Sequence, residues 1–308
     1  MALKKVLLTG AYSFTNDKIK AVQDLGYYTH FVQDENSELN IDVSDFDAVV
    51  CNGLFLHNDI VKFKNLKLIQ TTSKGLDRLP LDYAKENNIE VKNAKDVYSI
   101  PLAEWVIMRT LELYKNAGII FENQKNRVWE KQRNLFEIAG KTVLIIGAGS
   151  VGKEVAKRFG AFSAYVIAVD KEKKSSEYFS EFVFINDVDA YIPKSDIIVL
   201  ALPLTKDTRL IFNADRISKM KSEAVLINVS RGAVLDEEAL TLALKRNKIK
   251  GAALDVFYKE PLSEKSELWD LENVYVSSHN AFVSNEANKR LYELILSNLK
   301  KFSEESNG

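Results

Sequence analysis

Six residues near the middle of the chain, Gly147-Ala148-Gly149-Ser150-Val151-Gly152, constrain the fold more than any other segment. They follow the apolar run Val143–Ile146 and precede a helix-periodic segment, Lys153–Phe159. In this setting the three glycines permit a tight turn, close approach of the backbone to a pyrophosphate, and packing of the helix on the strand. Backbone N–H groups and the helix dipole then hold the anion. The motif therefore predicts a dinucleotide-binding strand–turn–helix unit in which Gly147, Gly149, Ser150, Val151 and Gly152 contact the cofactor.

A carboxylate follows this motif at the distance expected for ribose binding. Asp170 ends the next apolar run, about twenty residues beyond the glycines, where it can accept hydrogen bonds from both hydroxyls of the adenosine ribose. Its charge would repel a 2′-phosphate, which favours NAD over NADP. Lys171, Lys173 and Lys174 follow at once and could compensate a 2′-phosphate, so NADP stays open. The alternative reading of these lysines is a solvated charged surface.

The remaining sequence alternates short apolar runs with helix-periodic segments, which is typical of parallel sheets with crossover helices. In the first third, strands are predicted at residues 6–8, 28–32, 48–51, 68–71 and 90–92, with helices at 16–25 and 81–87. In the second series, strands are predicted at residues 143–146, 165–170, 182–185, 197–201, 224–229, 251–256 and 274–277. The fold class is therefore α/β, with two doubly wound parallel-sheet domains, the first flavodoxin-like and the second of the Rossmann type.

Two long helices mark the domain boundaries. An amphipathic segment, Ser99–Tyr114, separates the two series and is expected to be the interdomain hinge; a polar stretch with Trp129 follows it. A helix from about Asn285 to Phe302 comes after the second sheet and is expected to return to the first domain. The predicted domains are residues 1–98 with 283–308, and an inserted domain of residues 99–282, with a cleft between them.

Composition excludes several classes of partner. The 308 residues suit two domains, and the formal net charge of -1 argues against a nucleic-acid or anionic membrane surface. No apolar stretch approaches the ~20 residues of a membrane span, and the short apolar start does not suit a signal peptide. The single cysteine, Cys51, ends an apolar run and is predicted to be an inert core thiol. A cytoplasmic protein with a small-molecule substrate and no metal is expected.

Polar residues that suit catalysis stand at the carboxyl ends of three later strands, where open α/β sheets bind ligands. They are Arg231 after the first strand, Asp255 and Glu260 after the second, and His279 after the third. Taken singly, each has a structural reading as an ion-pair member, a cap or a strand-end histidine. Their joint occurrence in this order favours a catalytic site.

The order of these segments resembles the D-isomer-specific 2-hydroxyacid dehydrogenase family, which includes phosphoglycerate dehydrogenases, glyoxylate/hydroxypyruvate reductases and formate dehydrogenase. The matching segments are Gly147–Gly152, Leu202–Thr205 with Thr208, Met220–Lys221, Asn228–Leu240, Asp255–Pro261 and His279. The resemblance covers nearly the whole chain. It implies an NAD-dependent oxidoreductase that moves a hydride between the nicotinamide and C2 of a small 2-oxo or 2-hydroxy acid such as glyoxylate or hydroxypyruvate. It adds further cofactor contacts, namely Leu202, Pro203, Thr208, Val229, Ser230, Arg231, Asp255 and His279.

The resemblance also implies catalytic roles that agree with the chemistry of the side chains. His279 would be the acid/base at the 2-oxo oxygen, since only histidine titrates near neutral pH without perturbation. Glu260 would hydrogen-bond His279 and favour its protonated form. Arg231 would bind the substrate carboxylate or oxo group through its planar fork of donors. Asp255 would meet the nicotinamide end of the cofactor.

In the first domain, Thr71–Asp77 resembles the glycine-containing substrate loop of the family, whose backbone N–H groups receive the substrate carboxylate. Lys74 and Gly75 are the predicted substrate-binding residues, and an ordinary strand-to-helix turn is the alternative. Lys74 stands where relatives often have a small residue, so its side chain would either favour an acidic or phosphorylated substrate or point to solvent. Ser278 and Asn280 also depart from the family pattern around His279.

Relatives are usually dimers through the cofactor domain, so the resemblance implies a homodimer. Two other functions remain compatible with the sequence. One is an NAD(H)-sensing binding protein of the same fold, and the other is a formate or phosphonate dehydrogenase. Turnover of 2-oxo acids would distinguish the predicted reaction from both.

Overall fold

The computed structural model describes residues 3–305, which form two compact units. The first unit is drawn from Met1–Val97 and Ser284–Gly308, and the second unit is Tyr98–Val283. Each unit contains one sheet in which the strand pairs are parallel, and helices connect the strands. This confirms the predicted fold class of two doubly wound parallel-sheet α/β domains. No helix within residues 3–305 has the length and apolarity needed to cross a membrane.

The first unit contains a five-stranded sheet with the strand order β2-β1-β3-β4-β5. The strands are β1 (Lys4–Thr9), β2 (Tyr27–Val32), β3 (Ala48–Cys51), β4 (Leu68–Thr71) and β5 (Glu90–Lys92), and the first two helices are α1 (Asn16–Gln23) and α2 (Leu81–Glu86). This is the flavodoxin-like order. All residues of β3 and β4 are buried, as expected for central parallel strands covered on both faces.

The C-terminal helix packs on this first sheet. It spans Asn285–Glu305 and is named α8, because five helices of the second unit precede it in the chain. Leu291, Ile295 and Leu299 recur at four-residue spacing and are buried, so one apolar face of the helix covers the sheet. The Tyr27 hydroxyl donates a hydrogen bond to the Leu299 carbonyl oxygen at 2.7 Å.

The second unit contains a seven-stranded sheet with the order β12-β11-β10-β9-β6-β7-β8. The strands are β6 (Thr142–Ile146), β7 (Tyr165–Asp170), β8 (Glu181–Phe184), β9 (Ile197–Leu200), β10 (Val225–Asn228), β11 (Gly251–Leu254) and β12 (Val274–Val276). Strand β6 lies between β7 and β9, so the chain order reverses there. This Rossmann order places the ligand crevice at the carboxyl end of β6.

The helices of the second unit are α3 (Ser99–Lys115), α4 (Ala117–Lys125), α5 (Ser150–Ala161), α6 (Ala214–Ser218) and α7 (Glu237–Lys245). Helix α4 lies in the polar stretch for which no element was predicted. Its apolar residues 119–121 are consecutive rather than three to four residues apart, so it lacks the one-sided apolar pattern from which amphipathic helices are recognised. The sequence pattern therefore does not predict it.

Candidate active site

The glycine motif forms a turn in which neighbouring backbone segments lie close together. Gly147 has φ +112°, a backbone conformation that residues with a side chain rarely adopt. A Cβ atom on Gly147 would lie 2.5 Å from the Ala201 carbonyl oxygen. A Cβ atom on Gly152 would lie 2.1 Å from the Gly147 carbonyl oxygen. Gly149 is the N-cap of α5, which starts at Ser150. The turn and the first backbone N–H groups of α5 therefore fit a pyrophosphate, as the motif predicts.

Asp170 lies beside this turn at the end of β7. One carboxylate oxygen accepts a hydrogen bond from the Ala148 backbone N–H at 3.1 Å, and the other accepts from the Lys171 N–H at 2.8 Å. The oxygen bound by Lys171 also accepts from the Glu172 N–H at 3.4 Å. The oxygen bound by Ala148 accepts one hydrogen bond, so it retains capacity for a ribose hydroxyl. Lys174 pairs with Glu172 at 3.1 Å, and this contact raises the pKa of Lys174. The geometry thus fits the ribose-binding role predicted for Asp170.

The predicted cofactor residues Leu202, Pro203 and Thr208 form the loop after β9. Leu202 is buried, and the Thr208 hydroxyl donates to the Pro203 carbonyl oxygen at 2.6 Å. The same hydroxyl accepts from the Thr205 N–H at 2.7 Å. Thr208 therefore closes this loop at the carboxyl edge of the sheet, next to the strand that precedes the glycine turn.

A buried asparagine organises the turn that carries Arg231. The Asn228 Oδ1 atom accepts from the backbone N–H of Ser230 at 3.1 Å and from its hydroxyl at 2.8 Å. The Asn228 Nδ2 atom donates to the Arg231 carbonyl oxygen at 3.1 Å. Ser230 and its predecessor Val229 are also buried. No site role is predicted for Asn228 from the sequence, although an asparagine that closes a turn on its own backbone is a recognisable signal.

The Arg231 turn touches the loop that carries Glu260. Gly232 packs so tightly on this loop that a Cβ atom would lie 1.8 Å from the Phe257 carbonyl carbon. The Arg231 guanidinium donates to the Ser230 carbonyl oxygen at 2.9 Å. Since β10, β11 and β12 are neighbours, Arg231, Glu260 and His279 follow adjacent strand ends. The structure therefore brings the predicted catalytic residues to one edge of the sheet.

Glu260 and His279 form the central contact of this edge. The His279 Nδ1 atom lies 2.8 Å from the Glu260 Oε2 atom, and the Glu260 Oε1 atom accepts from the Phe257 N–H at 3.1 Å. Both side chains are about two-thirds buried, with exposures of 31% and 35%. Because Glu260 engages Nδ1 and is itself held by the Phe257 N–H, the ring orientation is set and Nε2 is the ring nitrogen that Glu260 does not engage.

Asp255 holds the backbone of the histidine loop. Its buried carboxylate accepts hydrogen bonds from the Ser277 hydroxyl at 2.5 Å, the Asn280 N–H at 2.7 Å and the Ala281 N–H at 3.0 Å. The Asp255 carbonyl oxygen accepts from the His279 N–H at 2.8 Å. His279 has φ +52°, which few residues other than glycine adopt. No role is predicted for Ser277 from the sequence, and the predicted contact of Asp255 with nicotinamide stays a prediction.

A cavity of about 420 Å³ lies beside the Glu260–His279 pair. Its other lining residues include Phe257, Leu262 and Trp269, so its walls are largely apolar. Within residues 3–305, no cluster of three or more histidine, cysteine, aspartate or glutamate side chains suits a metal ion.

In the first unit, the predicted substrate loop follows β4 and has a fixed backbone. The Ser73 hydroxyl donates to the Gly75 carbonyl oxygen at 2.9 Å, and the Asn93 Nδ2 atom donates to the Lys74 carbonyl oxygen at 2.9 Å. The Ala94 N–H donates to the Ser73 carbonyl oxygen at 2.9 Å. Lys74 and Gly75 therefore stand at the carboxyl edge of the first sheet, on a loop held by the segment that follows β5.

Known proteins share these features. Residues 107–281 match the family described as D-isomer specific 2-hydroxyacid dehydrogenase, NAD binding domain. A glyoxylate reductase of Thermofilum pendens is 34% identical over 274 residues, which cover 85% of this chain and 80% of the relative. A hydroxypyruvate reductase of Thermotoga maritima is 35% identical over 262 residues, which cover 83% of this chain and 85% of the relative.

A solved structure extends the similarity to the whole fold. The D-lactate dehydrogenase from Aquifex aeolicus, complexed with NAD and lactic acid, has a TM-score of 0.81 and 26% sequence identity. The match covers 97% of this chain and 95% of that protein. The chain therefore belongs to the D-isomer-specific 2-hydroxyacid dehydrogenase family.

Proposed function

We propose that this chain, an NAD-dependent oxidoreductase acting on 2-hydroxy acids, interconverts a small 2-oxo acid such as glyoxylate or hydroxypyruvate with the D-2-hydroxy acid, using His279 as acid/base. The observation that carries the proposal is the contact between His279 Nδ1 and Glu260 Oε2 at 2.8 Å. A carboxylate in this position fixes the ring orientation and leaves Nε2 for proton transfer. The names of the relatives, glyoxylate reductase and hydroxypyruvate reductase, support the substrate class.

Each residue has a distinct role in the proposed reaction. In the direction of reduction, His279 Nε2 gives a proton to the 2-oxo oxygen, and in the direction of oxidation it takes that proton back. Arg231 binds the carboxylate or the oxo group and polarises the carbonyl through charge-assisted hydrogen bonds. The backbone N–H groups of Lys74 and Gly75 receive the substrate carboxylate. The nicotinamide cofactor, when bound, supplies the hydride to C2 or accepts it.

The cofactor-binding residues of the proposal are those around the glycine turn. The N–H groups at the start of α5 would hold the pyrophosphate, and Asp170 would hold the adenosine ribose. Leu202, Pro203 and Thr208 would line the next part of the site, followed by Val229 and Ser230. The fit rests on the close approach at Gly147 and Gly152, where a side chain would displace the backbone.

The reaction is tested by following NADH oxidation with glyoxylate, hydroxypyruvate, pyruvate and longer 2-oxo acids. We expect turnover of at least one of them, and the ranking of kcat/KM will define the pocket. Activity on formate or phosphite with none on any 2-oxo acid would replace the proposal with the formate or phosphonate reaction. NADH binding without turnover of any substrate would leave the sensing function.

The Asp170→Ala variant tests the basis of cofactor choice. Removing the carboxylate removes an acceptor for the ribose hydroxyls and the repulsion of a 2′-phosphate. We expect the ratio of kcat/KM for NADH to that for NADPH to fall by on the order of tenfold or more. Glu223→Ala is the matched control, because it removes one negative charge at an exposed position of the same unit, in the segment between α6 and β10. An unchanged ratio in Asp170→Ala would refute the assignment.

We further propose a cytoplasmic homodimer, in which α4 contributes to the interface. Ile119, Ile120 and Phe121 on α4 are 42%, 43% and 63% exposed, and Trp129 beyond it is 98% exposed. Clustered exposed apolar side chains are typical of interaction surfaces. Phe121→Glu should shift the sedimentation coefficient from that of a dimer to that of a monomer, whereas Leu242→Glu, at a 50% exposed position on α7, should not. A dimer that persists in Phe121→Glu contradicts this interface.

A further inference from the structure

The cavity beside the Glu260–His279 pair is built by the second unit alone. Every residue that lines it lies within Tyr98–Val283. Phe257 is buried in the core of this unit, and Leu262 packs against the same core. The volume of about 420 Å³ lies within the ~300–1,000 Å³ that is typical of small-molecule pockets. The shape of the cavity is therefore a property of one unit.

Trp269 forms an exposed apolar wall of this cavity. It is 53% exposed, although tryptophan is usually buried to a large extent. The indole Nε1 atom donates to the Ser263 carbonyl oxygen at 2.9 Å, and the Trp269 backbone N–H donates to the Ser266 carbonyl oxygen at 3.3 Å. The polar edge of the ring is thus satisfied and the ring is held in place, so its remaining surface offers apolar contact. Such a wall suits a ligand with an apolar group.

The polar groups that border the cavity already have protein partners. Glu260 accepts from the Phe257 N–H and contacts His279. The Ser277 hydroxyl donates to the Asp255 carboxylate. Among the described residues that line the cavity, none is lysine or arginine. A second carboxylate or a phosphate on a ligand would therefore meet apolar walls and the Glu260 carboxylate, so the cavity favours an uncharged, apolar group.

The position of the cavity matches the side chain of the proposed substrate. In the proposed reaction, His279 lies within hydrogen-bond reach, about 2.6–3.2 Å, of the 2-oxo oxygen. The side chain of a 2-oxo acid is bonded to the same carbon as that oxygen, and a C=O bond is about 1.2 Å long. A substrate side chain therefore starts within a few ångströms of His279, which itself borders the cavity. Glyoxylate carries only hydrogen at this position and cannot fill the cavity.

We propose that this cavity is the side-chain pocket of the enzyme and that it selects 2-oxo acids with an extended apolar side chain. The inference rests on the proposed function and narrows its substrate class. Trp269 and Leu262 are the specificity-determining residues, because they supply wall surface without taking part in proton transfer. Each methylene that moves from water into such a pocket adds to the binding of the substrate.

The test is a series of substrates that differ by one methylene, namely pyruvate, 2-oxobutyrate, 2-oxopentanoate and 2-oxohexanoate. We expect kcat/KM to rise by about threefold to fourfold for each buried methylene, and by on the order of tenfold or more across the series. 2-Oxoglutarate has a side chain of similar length that ends in a carboxylate, so its kcat/KM should be on the order of tenfold or more below that of 2-oxohexanoate. Values that stay level or fall along the series, or a preference for 2-oxoglutarate, would overturn the inference.

Two variants of one wall residue assign the preference to this cavity. Trp269→Ala should lower kcat/KM for 2-oxohexanoate by on the order of tenfold, while that for pyruvate changes by less than about threefold. Trp269→Leu keeps a smaller apolar side chain, so its effect should have the same direction and a smaller size. A preference for the longer substrates that survives in both variants would place the apolar contacts elsewhere and overturn the assignment. Equal losses with pyruvate and 2-oxohexanoate in both variants would show a purely structural role and overturn it as well.

Phe162→Ala is the matched control for these variants. Phe162 is 39% exposed and follows the last residue of α5 in the same unit. Helix α5 runs from the carboxyl end of β6 to the amino end of β7, so Phe162 lies at the sheet edge opposite to the strand ends that carry His279. This variant removes an exposed aromatic ring away from the cavity and should retain the preference for 2-oxohexanoate. Loss of the preference in Phe162→Ala to the same extent as in Trp269→Ala would contradict a specific role of Trp269.

The outcomes also separate this inference from the proposed function. Turnover of glyoxylate or hydroxypyruvate without a rise of kcat/KM along the apolar series refutes only the side-chain pocket. Absence of turnover with every 2-oxo acid refutes the proposed function itself, and the inference with it. A rise along the series that is lost in Trp269→Ala and retained in Phe162→Ala supports both.

Discussion

Replacing His279 by alanine should lower kcat by on the order of a hundredfold or more, while the dissociation constant for NADH changes by less than about threefold. The reason lies in the geometry of the Glu260–His279 pair. Glu260 Oε2 engages Nδ1 at 2.8 Å, which leaves Nε2 for the proposed proton exchange with substrate. Stopped-flow hydride transfer and NADH fluorescence titration measure the two quantities separately.

The control for this variant is His57→Ala. His57 is exposed, belongs to the first unit and has no role in the proposed reaction, so kcat should be unchanged. Strongly weakened NADH binding in His279→Ala, with normal kcat at saturation, would contradict the role of His279 as acid/base. Near-normal values of both quantities would assign the proton transfer to another group.

The strands could be predicted closely because parallel sheets leave a clear signal. Their central strands are buried on both faces, so they read as continuous apolar runs, and β3 and β4 have the predicted bounds. The edge strand β5 and strand β7 also have the predicted bounds. The other strands differ from the predictions by at most two residues at either end. Helix α4 gives no such signal of burial, because none of its residues is buried.

The candidate catalytic residues could be proposed only as a set. Arg231, Glu260 and His279 each follow an apolar strand, and their order matched a family pattern. The structure adds the contact between Glu260 and His279, which are 19 residues apart in the chain. No local sequence pattern indicates that these two side chains come into contact.

The residues that hold the site in place were harder to recognise. Ser277 donates to a carboxylate 22 residues earlier in the chain, and the role of Asn228 depends on the turn that its amide closes. A serine at a strand end has many other uses, so neither its burial nor its partner follows from the sequence. These supporting contacts depend on how adjacent strand ends align, which only the folded sheet defines.

The second large effect is expected for Asp255→Asn. The carboxylate accepts three hydrogen bonds from the histidine loop, and an amide of the same shape can accept at only one of its two heavy atoms. Its NH₂ group would face a donor, which costs about 1–3 kcal/mol. We expect a lower Tm and a kcat reduced by on the order of tenfold to a hundredfold, because His279 loses the support for its left-handed backbone.

The measurements that separate positioning from cofactor binding are kcat and the NADH dissociation constant. If Asp255 acts by holding the loop, kcat falls and NADH affinity stays within about threefold of the parent. Ser277→Ala removes only one of the three donors, so its effect on kcat should have the same direction and a smaller size. If Asp255 acts mainly on the nicotinamide, NADH affinity falls in Asp255→Asn while Ser277→Ala leaves both quantities unchanged. The graded response of kcat across the two variants therefore decides whether the buried carboxylate positions His279.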